Sequence, residues 1–99
     1  MDEKFKQKIA KDFGLVSMDG RQQEEMIEKI GNMLFESVIE RSVDLMDESV
    51  MGEFETTIAE AGSDYQKVIA FLKTKVTGFD KIVSEELSRL QKATSGIFA

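Results

Sequence analysis

Residues 19–46 read DGRQQEEMIEKIGNMLFESVIERSVDLM, and this stretch decides the fold class. It contains no proline, and its apolar residues recur every three or four positions. That is the period of an amphipathic helix. Asp19 with Gln22 three positions later is a capping-box pattern at the start. A helix over all 28 residues would run about 42 Å at 1.5 Å per residue. On a helical wheel, Met26, Ile27, Ile30 and Gly31 form a stripe in the first half. Leu34, Phe35, Val38, Ile39, Val43, Leu45 and Met46 form a wider arc in the second, centred roughly 100° away. A helix patterned this way is expected to meet different partners at its two ends.

Two readings of the wide arc follow. In one, Leu34, Val38 and Leu45 face the third helix while Phe35, Ile39 and Met46 face the fourth and fifth. In the other, the edge formed by Phe35, Ile39, Val43 and Met46 is a homodimer interface, since wide apolar faces on small proteins often are. Gly31 costs about 1 kcal/mol against alanine inside a helix, which predicts close packing there. The polar side carries Glu36, Glu40, Asp44 and nearby Glu48 at four-residue intervals, with Arg41 offsetting part of the repulsion. This acidic ridge is either a solvated face or a docking surface for a basic protein.

The flanking sequence is punctuated in the same style. Phe5, Ile9 and Phe13 share a face of a first helix over about 2–13. Gly14 is its expected left-handed C-cap, and Leu15 folds back on it. A third helix over about 49–61 carries Val50, Met51, Phe54, Ile58 and Ala61 and stops at Gly62. Ser63 with Gln66 predicts the cap of a fourth, with Tyr65, Val68, Ile69, Leu72 and Val76. Gly78 breaks it. Thr77 is the expected cap of a fifth, lined by Phe79, Ile82, Val83, Leu87 and Leu90 and stopped by Gly96. The connectors are short and no strand signal intervenes, so the chain reads as one all-α domain of five helices around one long central helix.

Composition narrows the chemistry. The 99 residues include no histidine and no cysteine. The usual general base, the usual thiol nucleophile and most transition-metal ligands are therefore missing. A di-iron bundle needs Glu-x-x-His motifs, and no phosphate-binding glycine loop or nucleophile elbow occurs. Residues 47–58 place Gly52 like a calcium loop. However, Ile58 stands where a bidentate glutamate is needed and Met51 where an oxygen ligand is needed. No cofactor or metal and no enzymatic activity are expected.

Net charge is −6, which disfavours nucleic-acid backbones. Residues 21–64 carry a net −9 and residues 65–99 a net +3, so the acidic middle is expected to face the C-terminal helices. No apolar run is long enough to span a bilayer, and the N-terminus lacks a secretory pattern. With no disulfide framework, a cytoplasmic setting is expected. Five of the six methionines lie between Met18 and Met51 and suit core gaps or an adaptable surface.

The order of Phe13-Gly14-Leu15, Ile30-Gly31, the Phe54 helix, Gly62-Ser63-Asp64, the run Val68 to Leu72, Phe79-Asp80-Lys81-Ile82-Val83 and Glu85-Glu86-Leu87 resembles a family. It is a small helical domain family of unknown function from candidate-phyla (ultrasmall) bacteria. The likeness covers about residues 9–92. That family often has proline before its last helix, where this chain has Val76-Thr77-Gly78. The resemblance implies an all-helical cytoplasmic bacterial protein and carries over no site residue.

Two principal functions remain in view. One is a non-enzymatic protein–protein interaction module, homodimeric through the second half of the long helix or joined to a protein partner through the acidic ridge. The other is a carrier of a small apolar ligand between helices two, four and five, lined by Phe35, Phe71 and Phe79. The sequence Gly96-Ile97-Phe98-Ala99 is a further candidate docking peptide.

Overall fold

The computed structural model describes residues 3–94 and forms five α-helices. They are α1 (Glu3–Asp12), α2 (Gly20–Val43), α3 (Glu48–Ala61), α4 (Tyr65–Lys75) and α5 (Phe79–Ala93). Among the described residues there is no strand. Gly96 and the tail around Phe98 lie outside the described residues.

Gly14 ends α1 as the sequence predicts. Its φ of 70° is left-handed. The Leu15 N–H donates to the Ala10 carbonyl at 2.8 Å, and the Gly14 N–H donates to Lys11 at 3.3 Å. This is the paired bonding of a Schellman motif, and it folds Leu15 into the core at 0% exposure. Ile9 and Phe13 are buried beside it.

Of the other helix ends, the Asp19 cap of α2 and the stop of α3 at Gly62 stand where the sequence predicts, and several of the rest differ by a few residues. The Asp19 carboxylate caps α2 by accepting from the Gln22 N–H at 3.0 Å. The helix closes at Val43 rather than Met46. Leu45 and Met46 instead donate to Ser42 and Val43, three residues back, which tightens the exit into a turn. Asp47 then caps α3, accepting from Val50 at 2.9 Å. At α4 the cap is Asp64 and not Ser63, since the Asp64 carboxylate takes the Gln66 N–H at 3.1 Å. At α5 the cap position falls on Gly78 and not Thr77. Gly78 has φ 76°, and among the described residues no side chain caps this helix. The nearest compensation is Asp80 in its first turn.

The core is one cluster that takes residues from every helix. Ile9, Leu15, Ile30 and Leu72 are fully buried in it. The long helix packs most extensively on α5 and next on α1, while α3 packs chiefly on α4. So its two halves do meet different partners. Gln23 and Glu24 bond to the α1 end of the chain at Leu15 and Lys6, and Arg41 bonds to α5.

Its buried face does not swing by 100°, however. Ile27, Ile30, Leu34, Val38 and Ser42 are buried at three- and four-residue spacing along one continuous stripe. Phe35, Ile39 and Val43 form a second, half-buried stripe beside it. The face widens rather than turns. Nor does Leu45 face α3. It is 64% exposed, because the helix has ended before it and the turn carries it off the wheel.

Candidate functional site

A cleft of about 330 Å³ opens where α2, α4 and α5 meet. The long helix contributes Gly31, Leu34, Phe35 and Val38 to its walls. α4 contributes Tyr65 and Ile69, α5 contributes Phe79 and Val83, and Phe5 of α1 closes one side. The spacing explains the assembly. Leu34 and Val38 are one turn apart on α2, as are Tyr65 and Ile69 on α4 and Phe79 and Val83 on α5. Each helix thus turns one apolar stripe into the same space. Phe35 and Tyr65 stand as a tilted pair with ring centroids 4.7 Å apart.

The polar residues of the cleft are Asn32, Gln66, Lys73 and Asp80, joined by the Tyr65 hydroxyl, and all five residues are exposed. They bring side-chain amides, a hydroxyl, one cation and one anion to a lining otherwise formed by apolar groups.

The predicted lining is two-thirds right. Phe35 and Phe79 line the cleft, but Phe71 does not. It sits two positions after Ile69, on the other side of α4, and packs against Phe54 of α3 at 5.9 Å between centroids. Gly31 is buried and forms part of the cleft wall.

The structure places the predicted interface residues Phe35, Ile39, Val43 and Met46 half-buried and packed against the core. Glu36, Glu40, Asp44 and Glu48 are all exposed, and none forms an ion pair among the described residues. They are not one helical ridge. The first two lie on α2, Asp44 is its C-cap, and Glu48 opens α3 beyond the turn, where its charge favours that helix's N-terminus. Arg41 does not offset Asp44 either.

Arg41 reaches α5 instead. Its Nη1 donates to Glu86 and its Nη2 to Glu85, both at 3.1 Å. Glu86 is only 4% exposed, and Arg89 Nη2 lies 3.4 Å from the same Oε2 atom. The hydrogen bonds to Glu85 and Glu86 hold the Arg41 pKa above its usual value. Sequence reasoning missed this network, although Glu86 sits on the Phe79–Ile82–Val83–Leu87–Leu90 stripe, where an acid is out of pattern. It also missed Ser42, which lies on the buried stripe of α2 and whose hydroxyl has no hydrogen-bond partner among the described residues.

The charge halves meet in both senses. Lys75 of α4 pairs with Glu53 of α3 at 3.6 Å, as the asymmetry predicts, whereas Arg41 with Glu85 and Glu86 runs the other way. Among the described residues no group of acids converges on a metal position. None of the described helices is long and apolar enough to cross a membrane.

A family model for DUF5663, a protein of unknown function, matches residues 9–94. The chain belongs to the DUF5663 family. The match runs from the buried Ile9 of α1 to the cap of α5 and so takes in nearly the whole cleft lining, all but Phe5. No curated protein and no solved structure matches the chain.

Proposed function

We propose that this domain is a non-enzymatic binding module that works through the cleft between α2, α4 and α5. The observation that carries the reading is the cleft itself. A five-helix core of this size is expected to close on itself at the density of an organic crystal. Here the three stripes pack their deeper residues Leu34, Val38 and Phe79 into the core and leave an open cleft of about 330 Å³ above them. Ligand sites run from about 300 to 1,000 Å³ and are mostly apolar with a few polar groups.

A fluorescent apolar dye, 1-anilinonaphthalene-8-sulfonate, tests it. Saturable binding that raises the melting temperature and is lost in Val83→Trp supports the reading. Dye binding unchanged by Val83→Trp, in a variant with native circular dichroism, sinks it.

Self-association through α2 is a second reading, favoured by the outline of the molecule. The chain measures 45 × 24 × 18 Å with a radius of gyration of 14.6 Å. About 13 Å is expected for a compact domain of this length. The half-buried stripe of Phe35, Ile39 and Val43, with Met46 near its end, stays partly in solvent. Sedimentation at several concentrations decides it. A strict monomer, unchanged by Phe35→Ala with Ile39→Asp, removes this reading. A bacterial, cytoplasmic setting belongs to the same proposal, supported by the resemblance to candidate-phyla proteins and by a chain without cysteine.

A further inference from the structure

We infer that the cleft takes a peptide segment that inserts one large apolar side chain; this rests on the cleft being the binding site. The rim carries the argument. Asn32, Gln66, Lys73 and Asp80 are exposed, and none of their side chains forms a hydrogen bond or ion pair among the described residues. Lys73 only donates, Asp80 only accepts, and the two amides do both. The rim is therefore uncommitted, balanced in donors and acceptors, and neutral in sum.

That balance sorts the ligand classes. A fatty acid would gain Lys73 but bring its carboxylate toward Asp80. A cationic amphiphile would meet the opposite conflict with Lys73. A bare hydrocarbon would use the walls and leave all four polar groups idle. A peptide is neutral along its backbone and presents one donor and one acceptor at each residue beside its side chain. It satisfies walls and rim together.

Size agrees. A cleft of about 330 Å³ stands at the low end of ligand sites, which suits an anchoring side chain better than a whole lipid. The walls favour an aromatic anchor. The tilted Phe35–Tyr65 pair stays partly in solvent and offers ring faces and edges to a further ring beside the buried Phe79, and aromatic anchors in such pockets dominate many peptide interfaces.

The test is a titration of the full chain, labelled with ¹⁵N, followed through the amide resonances of Gly31, Ile69 and Val83. The probes are N-acetyl-L-phenylalaninamide, its D enantiomer, benzyl alcohol and laurate. The expected result is binding of the L-amide at least five-fold tighter than the D-amide or benzyl alcohol. That preference is expected to disappear in Asn32→Ala with Gln66→Ala, whose circular dichroism stays native because both side chains are exposed. Equal or tighter binding of laurate or benzyl alcohol at the same resonances overturns the peptide assignment while upholding the cleft. Resonances that move with none of the four probes overturn both.

Discussion

Arg41 in α2 and Glu86 in α5 are joined at 3.1 Å across the main helix pair, and the carboxylate is 4% exposed while the guanidinium side chain is 36% exposed. The burial is one-sided. Glu86 has left water and Arg41 remains its link to the surface, shared with Glu85 and Arg89. A buried charge that loses its partner is costly, whereas removing both partners together is often close to neutral. Arg41→Met is therefore expected to lower the melting temperature by several degrees. The double variant Arg41→Met with Glu86→Leu is expected to recover most of that loss. Thermal unfolding of the four members of the cycle measures the coupling. A loss in the double variant equal to the sum of the two single losses would show that the pair does not act as one unit.

Leu72 and Leu45 make a second contrast between chemically identical side chains. Leu72 is fully buried at the centre of the cluster, while Leu45 is 64% exposed on the turn after α2. Leu72→Ala is expected to cost about 2–5 kcal/mol, from lost burial plus the cavity left behind. Leu45→Ala is expected to stay within about 0.5 kcal/mol of the parent. Urea unfolding with a common slope separates the two.

Two glycines are expected to respond to alanine with opposite signs. Gly14 sits at φ 70°, so an added Cβ there is strained by about 1–2 kcal/mol although the space around it is open. Gly52 lies within α3, with ordinary helical φ, and a Cβ added there would meet nothing within 4 Å. Gly52→Ala is expected to stabilise by about 0.5–1 kcal/mol through helix propensity and a less free unfolded chain. Melting temperatures of the two variants provide the check, and a fall in both would contradict the open surroundings of Gly52.

The α1–α2 contact carries a pH signature. Lys6 donates to Glu24 at 2.7 Å, and this hydrogen bond, aided by the attraction of the same carboxylate, raises the lysine pKa above its usual 10.5. A raised folded-state value means that the contribution is complete below 10.5 and fades as pH climbs through the higher folded value. The melting-temperature gap between the parent and Lys6→Met is therefore expected to be constant from neutral pH to about 10 and to narrow above it. A gap unchanged up to the alkaline limit of folding would mean that the pair contributes no linked stability.

Much of this was legible in the residues. Helix existence followed from period and punctuation, because proline is absent and glycine with Asp caps marks most ends. Gly14 shows why such signals are strong. A left-handed turn, two backbone bonds and a returning apolar residue are all local, so three consecutive letters specify them. The caps at Asp64 and Gly78 shifted by one residue because neighbouring candidates compete. There the carboxylate of Asp64 and the positive φ of Gly78 prevailed over the hydroxyls of Ser63 and Thr77.

Partnership was not legible at that range. Periodicity identifies which residues leave water but not which helix receives them, so Phe71 was assigned to the cleft and went instead to Phe54. Arg41 looked like a neighbour of Asp44 and found Glu86, 45 positions away. The sequence alone determined five helices, their apolar stripes and the exclusion of histidine and cysteine chemistry. Only tertiary packing decided that three of those stripes meet without closing. Whether stripes interdigitate or leave a cleft depends on crossing geometry between segments distant in the chain, and no local pattern encodes it.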